Sequence, residues 1–236
     1  MPKAVRRKRT PPRWNRLNRE IDACQKCPRL IDYCREVAHV KRRAYIHETY
    51  WGGPVSNFGD PYAELLLVGL APGAHGANRT GRMFTGDRSG DWLYKALYKA
   101  GFANQENSTH LQDGLQLTGC AITNICHCAP PQNKPTRDEV LTCQPWVEQL
   151  VAQLPIKVFL AFGQIAWRGV IDFMKDTDVY SGPIPKFGHG HSFNFADGRI
   201  LLGSYHPSQQ NTFTGRLTES MFNSIFRKAN RLLDRH

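Results

Sequence analysis

The sequence predicts a three-layer α/β/α domain built on a central, mainly parallel sheet of four strands, and three observations carry that expectation. Leu65–Leu70 is an unbroken apolar run too brief for a helix, as a strand buried on both faces of a parallel sheet is, and Gly119–Cys126, Lys157–Phe162 and Arg199–Tyr205 read as three further short strands. Stretches with helical periodicity lie between them, which implies right-handed crossovers and helices on both faces of the sheet. A chain of 236 residues, 41% hydrophobic, is enough for one sizeable core, and no repeat or second domain is evident.

In chain order, residues 14–40 read as largely helical around a CxxC turn, and Tyr50–Pro61 as a turn-rich connector to the first strand. Trp92–Ala100 places apolar residues at i, i+1, i+4 and i+5 and stops at Gly101, so a crossover helix is expected to begin near Asp91. Residues 102–117 are polar and irregular, and Pro130–Pro131 ends the second strand. Thr136-x-x-Glu139 is a capping box opening a helix to about Gln153, with Pro145 bending it. A helix over Gln164–Lys175 follows the third strand. Residues 176–198, rich in Gly, Pro and His, read as a long surface loop with room for a short strand. After the fourth strand, Leu217, Met221, Ile225 and Leu232 mark one stripe of a last helix.

The formal net charge is +11 and is unevenly placed. Residues 1–20 carry Lys3, Arg6, Arg7, Lys8, Arg9, Arg13, Arg16 and Arg19 against Glu20 alone, so they read as a basic tail on a domain spanning residues 21–236. Such a tail is either a solvated arm or a source of attraction to phosphate backbones. Lys41–Arg42–Arg43 and Arg79, Arg82 and Arg88 favour nucleic acid. No run approaches 18 apolar residues and the N-terminus has no apolar segment behind it, so neither a membrane span nor a secretory signal is expected, and the default location is cytoplasmic.

Seven cysteines without an export signal argue for metal ligation or buried thiols rather than disulfides. Cys24-x-x-Cys27, with Cys128 and Cys143 far along the chain, fits a Cys₄ site for zinc or an iron-sulfur cluster, with Cys126 a rival to Cys128. Cys34 and Cys120 read as small buried hydrophobes.

A glycine-rich loop, AlaProGlyAlaHisGly, follows the first strand, and the carboxyl ends of strands one, two and four carry Ala71–Asp87, Asn124–Asn133 and His206–Asn211. Ligands in open α/β sheets bind at that edge. The loop lacks both GxGxxG and GxxxxGK[ST], so a phosphate cradle is poorly supported.

Taken together, GLAPGAHGANRTG, MFTGDRSGD, CAPPQNKPT and SYHPSQQNTFTGRL resemble the uracil-DNA glycosylase superfamily, and within it family 5, the B-type enzymes with a [4Fe-4S] cluster. The resemblance runs from Cys24 to the last helix. It implies a monomeric, monofunctional DNA-repair hydrolase that flips uracil, and other deaminated bases, out of single- or double-stranded DNA and cleaves the N-glycosidic bond. It implies that Cys24, Cys27, Cys128 and Cys143 hold the cluster, Cys128 being chosen because the motif sets its cysteine directly before AlaProPro. Phe84 resembles the stacking aromatic, and His206 the hydrogen-bond donor to the base carbonyl. Asp87 resembles the residue that positions water, its alternative being a helix N-cap; Asn133 is a second polar position and His75 a third. Gly69, Ala71, Pro72 and Gly73 would line the base pocket; Asn124 departs from the family-5 pattern, in which many members carry a small residue there, and resembles the uracil-reading Asn of other families, whose amide fits the edge of uracil and would favour it over bulkier purines. Arg79, Arg82, Ser208, Gln209 and Asn211 are expected to contact DNA. The competing readings are a non-catalytic iron-sulfur DNA-binding module and a zinc-bearing nucleotide hydrolase.

Overall fold

The computed structural model describes residues 11–234. Two helices, α1 (Pro12–Asp22) and α2 (Pro28–Val40), flank the CxxC turn, each opening on a proline whose fixed φ suits a first helical position. A short strand β1 (Phe58–Gly59) precedes β2 (Leu65–Gly69), a single helical turn α3 (Ala77–Thr80) and α4 (Arg88–Lys99). Then come β3 (Cys120–Asn124), α5 (Arg137–Val151), β4 (Val158–Phe162) and α6 (Gln164–Asp176). The chain closes with β5 (Ser192–Asn194), β6 (Ile200–Ser204), α7 (Gln209–Phe213) and α8 (Glu219–Leu232).

The sheet has six strands in the order β1-β3-β2-β4-β6-β5, which corrects the expected four. The four read from sequence are its parallel centre; β1 and β5 are short antiparallel edges on β3 and β6. In β2, Leu66 and Val68 face a core closed by α1, α5 and α6, while Leu65 and Leu67 face one closed by α4 and α8. Every residue of β2, β3 and β4 is buried, and each fully buried leucine among them contributes about 1.5–3 kcal/mol of transfer free energy. From β2 the next crossover runs to β3 on one side and the following one returns past it to β4, so a crevice opens at the carboxyl ends of these strands.

Residues 12–22 are folded, with Trp14, Leu17 and Ile21 buried and α1 packed on α5. The boundary drawn at residue 20 therefore falls inside a helix, because Trp14 and Leu17 have a hydrophobic face to bury. Lys3, Arg6, Arg7, Lys8 and Arg9 lie outside the described residues. The predicted capping box is present: Thr136 Oγ1 accepts from the Glu139 N–H, and Glu139 accepts from the Thr136 N–H. Glu139 also accepts two hydrogen bonds of 2.7 Å from Arg29, fastening α2 to the start of α5. The helix continues through Pro145 to Val151. Among the described residues, no helix is long and apolar enough to cross a membrane.

Candidate active site

A cavity of about 390 Å³ lies at the carboxyl edge of the sheet. It is lined by Ala71, Pro72 and Gly73 after β2, Asn124 at the end of β3, Asn133 in the following turn, and His206, Ser208 and Gln209 after β6. Phe84 and Asp87 close it from the loop before α4. Ten of the residues expected there thus share one cavity, of a size that suits a small aromatic ligand. Sequence reasoning passed over three others that line it, Leu70, Ala77 and Ser89, and read Arg88 only as one of the arginines favouring nucleic acid; Ser89 was signalled by its place near Asp87.

Phe84 sits at φ +53°, a left-handed conformation that a bulky residue adopts at a cost of about 1–3 kcal/mol. The surroundings enforce it. A side chain at Gly90 would meet the Phe84 carbonyl oxygen at 1.8 Å, and the Tyr94 hydroxyl donates to the Met83 carbonyl at 2.6 Å. The Phe84 ring is stacked on the His206 ring at 5.9 Å and edge-on to Phe162 at 5.7 Å. Gly69 shapes this floor from behind, since a Cβ there would lie 2.2 Å from Asn124 Oδ1 and 3.2 Å from Phe84 Cζ. Gly69 and Asn124 are register partners in the parallel β2–β3 pair, which brings them to one face.

Asp87 is the N-cap of α4: its Oδ1 accepts from the Gly90 N–H at 3.0 Å. Its Oδ2 faces the glycine loop, where a Cβ at Gly73 or Gly76 would come within 3.1 or 2.1 Å of it. Burial raises the Asp87 carboxyl above its ordinary value, partly opposed by the backbone N–H groups of Gly90 and Ser89. Burial also pushes His206 down to about 4, so the imidazole is neutral at pH 7 and keeps a single N–H.

Five expected site residues stand elsewhere. His75 does not line the cavity; it meets the Tyr50 hydroxyl at 3.1 Å, and burial, then Arg42 and Arg79, lowers its pKa. Asn211 donates to the His206 carbonyl at 2.9 Å and takes the Ser208 cap on its N–H, so it holds the histidine segment. Gly69 shapes the cavity from behind. Arg79 is buried, ion-paired with Glu48 and donating to the His75 and Gly86 carbonyls. Arg82, 3% exposed, makes a two-pronged pair with Asp113 at 2.9 and 2.5 Å and also reaches Ser108 and Thr85. The two arginines are therefore framework, because all three guanidinium nitrogens of each are engaged by protein groups; Arg88, at the rim over Phe213, is the one of the three that reaches the cavity.

Burial alone would raise the Asp113 carboxyl, yet hydrogen bonds from Arg82, Leu115 and Thr109 hold it well below the usual carboxylate range. Its contribution to stability is thus present above about pH 4 and is lost as pH falls toward the depressed native value. Asp113→Ala leaves Arg82 buried and unpaired, which is expected to cost about 3–5 kcal/mol and to lower Tm by on the order of 10 °C. Thermal unfolding at pH 7 measures it.

Cys24, Cys27, Cys128 and Cys143 line one small enclosed cavity walled by Leu30, Ile31, Pro54 and Trp146, and Cys126 is not among its lining residues. The His127 N–H donates to Cys143 Sγ at 3.4 Å. Among the described residues, no three His, Cys, Asp or Glu groups are placed to hold a single metal ion. Four thiols around one pocket are a donor set that suits either a structural zinc or an iron-sulfur cluster. Cys34 and Cys120 are fully buried, as expected.

Comparison with known proteins gives the family. The family model described as the uracil DNA glycosylase superfamily matches residues 56–230. The type-5 uracil-DNA glycosylase of Mycobacterium leprae is 50% identical over 219 residues, covering 92% of this chain and 94% of that protein. That of Thermus thermophilus is 45% identical over 213 residues, covering 90% and 94%. A type-4 uracil-DNA glycosylase of Pyrobaculum aerophilum is 28% identical over 195 residues, 82% of each chain. With its strand-end cavity, capping aspartate and stacked Phe84–His206 pair, the chain belongs to the uracil-DNA glycosylase superfamily, in its type-5 group.

Proposed function

We propose that the protein excises uracil from DNA by hydrolysing its N-glycosidic bond, leaving an abasic site. The observation that carries this is the meeting, in one cavity, of a carboxylate with one oxygen turned to the glycine loop, a neutral buried histidine and an aromatic face. The bond is out of reach inside a duplex, so the nucleotide must swing out and its base enter the cavity, at a cost of a few kcal/mol. Phe84 then offers its face to the base. His206 donates to a base carbonyl oxygen and strengthens that bond as negative charge builds on the departing uracil. Asp87 uses one oxygen to cap α4 and the other to orient water, while its charge favours the cation-like sugar. Asn133, exposed at the rim with φ +57°, is a second polar contact there. Ser208 and Gln209 approach the adjoining phosphates, joined by Arg88. With Asn124 in the cavity wall, uracil is favoured over the bulkier deaminated purines.

Cys24, Cys27, Cys128 and Cys143 would hold a [4Fe-4S] cluster. Bound there, the cluster supplies a structural tie between the CxxC turn and the segments after β3 and in α5. The protein acts in a reducing, cytoplasmic setting, which suits seven free cysteines.

Release of free uracil from a labelled oligonucleotide tests the activity, with single-stranded, U·A and U·G substrates compared. The expected result is release without strand cleavage, and binding without release would leave a DNA-binding module. Iron and acid-labile sulfide in anaerobically purified protein, lost on Cys128→Ser and retained on Cys126→Ser, test the ligand set.

A further inference from the structure

The segment that carries His206 is held from outside the cavity by a second histidine. Strand β6 ends at Ser204, whose carbonyl accepts from the Gly163 N–H at 2.8 Å. On the other edge of β6 the loop before β5 takes over: the Gly190 N–H donates to the Gly203 carbonyl at 2.8 Å, and the Gly203 N–H to the His191 carbonyl at 2.9 Å. One residue past the strand, the Tyr205 N–H donates to a side chain of that loop, His189 Nδ1, at 3.1 Å. A peptide N–H can only donate, so Nδ1 is the bare nitrogen and Nε2 carries the proton, directed at the Met221 carbonyl of α8, 3.3 Å away. Burial holds the His189 pKa below the ordinary value, opposed by that carbonyl, and the neutral ring is used at both nitrogens. It also packs on the Tyr205 ring, 5.1 Å between centroids. The loop can lie this close because position 203 is glycine: a Cβ there would meet the Gly188 carbonyl oxygen at 2.6 Å.

Building on the uracil reading, we propose that His189 is a positioning residue for base excision, fixing the peptide before His206 so that the donor ring meets the base carbonyl. His189 does not line the cavity and touches no reacting atom. Asn211 holds the carbonyl on the far side of His206 at 2.9 Å; His189 ties the near side to α8, a separate element, so the catalytic ring is aimed between two anchors. A donor to developing charge acts only where it is placed, and a shift of about 1 Å can cost about a hundredfold in rate.

His189→Asn and His189→Gln separate the two ends of the ring. The Oδ1 of an asparagine occupies the place of Nδ1 and can accept from Tyr205. The amide nitrogen of a glutamine occupies the place of Nε2 and can donate to Met221, leaving Tyr205 unanswered; both variants lose the ring packing. The Gln variant is expected to slow single-turnover uracil excision by roughly tenfold, and the Asn variant to recover most of that loss, with DNA affinity held in both. In a His206→Ala background the Gln change should alter the rate by less than about twofold, because nothing remains to aim, while its effect on Tm persists. Amide hydrogen exchange gives a readout independent of catalysis: protection at Tyr205 should survive in the Asn variant and fall in the Gln variant. Rates that follow Tm rather than the substituent, or equal slowing with and without His206, would mark His189 as packing and overturn the proposal, as would a Gln variant as fast as wild type. Failure of wild-type protein to release uracil would end the functional reading, while the exchange comparison still decides whether His189 holds this segment.

Discussion

Asp87→Asn is expected to excise uracil roughly 10²–10⁴-fold more slowly than wild type at saturating enzyme, while melting no lower. The first half follows from the position of Oδ2 beside the glycine loop: an amide there keeps the shape and loses the charge that orients water and favours the sugar cation. The second half follows from burial. The native carboxyl pKa is raised above 3.8, so ionising Asp87 is harder in the folded protein than in the unfolded chain. That cost builds as pH rises from about 4 through the raised native value and is fully present above it. Asn caps a helix about as well as Asp, so the variant sheds the cost and keeps the cap. A large rate loss with an unchanged or higher Tm identifies a catalytic carboxylate that also caps. Near-wild-type excision would reduce Asp87 to a cap and move the water to Asn133. The acid limb of the wild-type rate profile should likewise lie above that of an ordinary aspartate.

His206→Ala is the second large effect, expected to slow the chemical step by a hundredfold or more, in line with about 2.7–4 kcal/mol for one donor to a developing oxyanion. DNA binding should hold, because the bond matters most as charge appears on the leaving base. Because burial holds His206 at about 4, the wild-type rate should show no histidine titration between about pH 6 and 8. An Ala variant within about threefold of wild type in single-turnover assays would remove His206 from the chemistry, and a titration near the ordinary histidine value of about 6.5 would mean the ring is charged in the working enzyme.

The parallel centre of the sheet was legible because β2 and β4 are short, almost wholly apolar runs and β3 and β6 are apolar up to their carboxyl ends. The edges were not: β1 is two residues of half-buried PheGly and β5 is three residues, SerPheAsn, too short for any period to show. The cavity residues could be found because they cluster just past strand ends. The misread arginines have the opposite character. Each looks like a surface charge in its own segment, and the acid that buries it, Glu48 for Arg79 and Asp113 for Arg82, lies 31 residues away. His75 misled for the same reason, its partner Tyr50 belonging to the connector. Local sequence shows that a charge exists; only the fold shows whether it is already answered.

The Arg82–Asp113 pair also changes what residues 102–117 are. Surface loops of this length ordinarily absorb insertions and deletions with little consequence. Here the loop returns to β3 through the Ala103–Leu117 bridge, and between those ends Ser108 and Asp113 grip the guanidinium two residues before Phe84. The span between the two gripping residues is thereby gauged against the base platform. A residue added beside Glu106, exposed and ahead of the grip, should be absorbed. One added between Ser108 and Asp113 would break the grip and let Phe84 leave its left-handed conformation. For anyone choosing a site for a label, a fusion or a circular permutation, this outwardly ordinary loop contains both a permissive position and a forbidden one within a few residues.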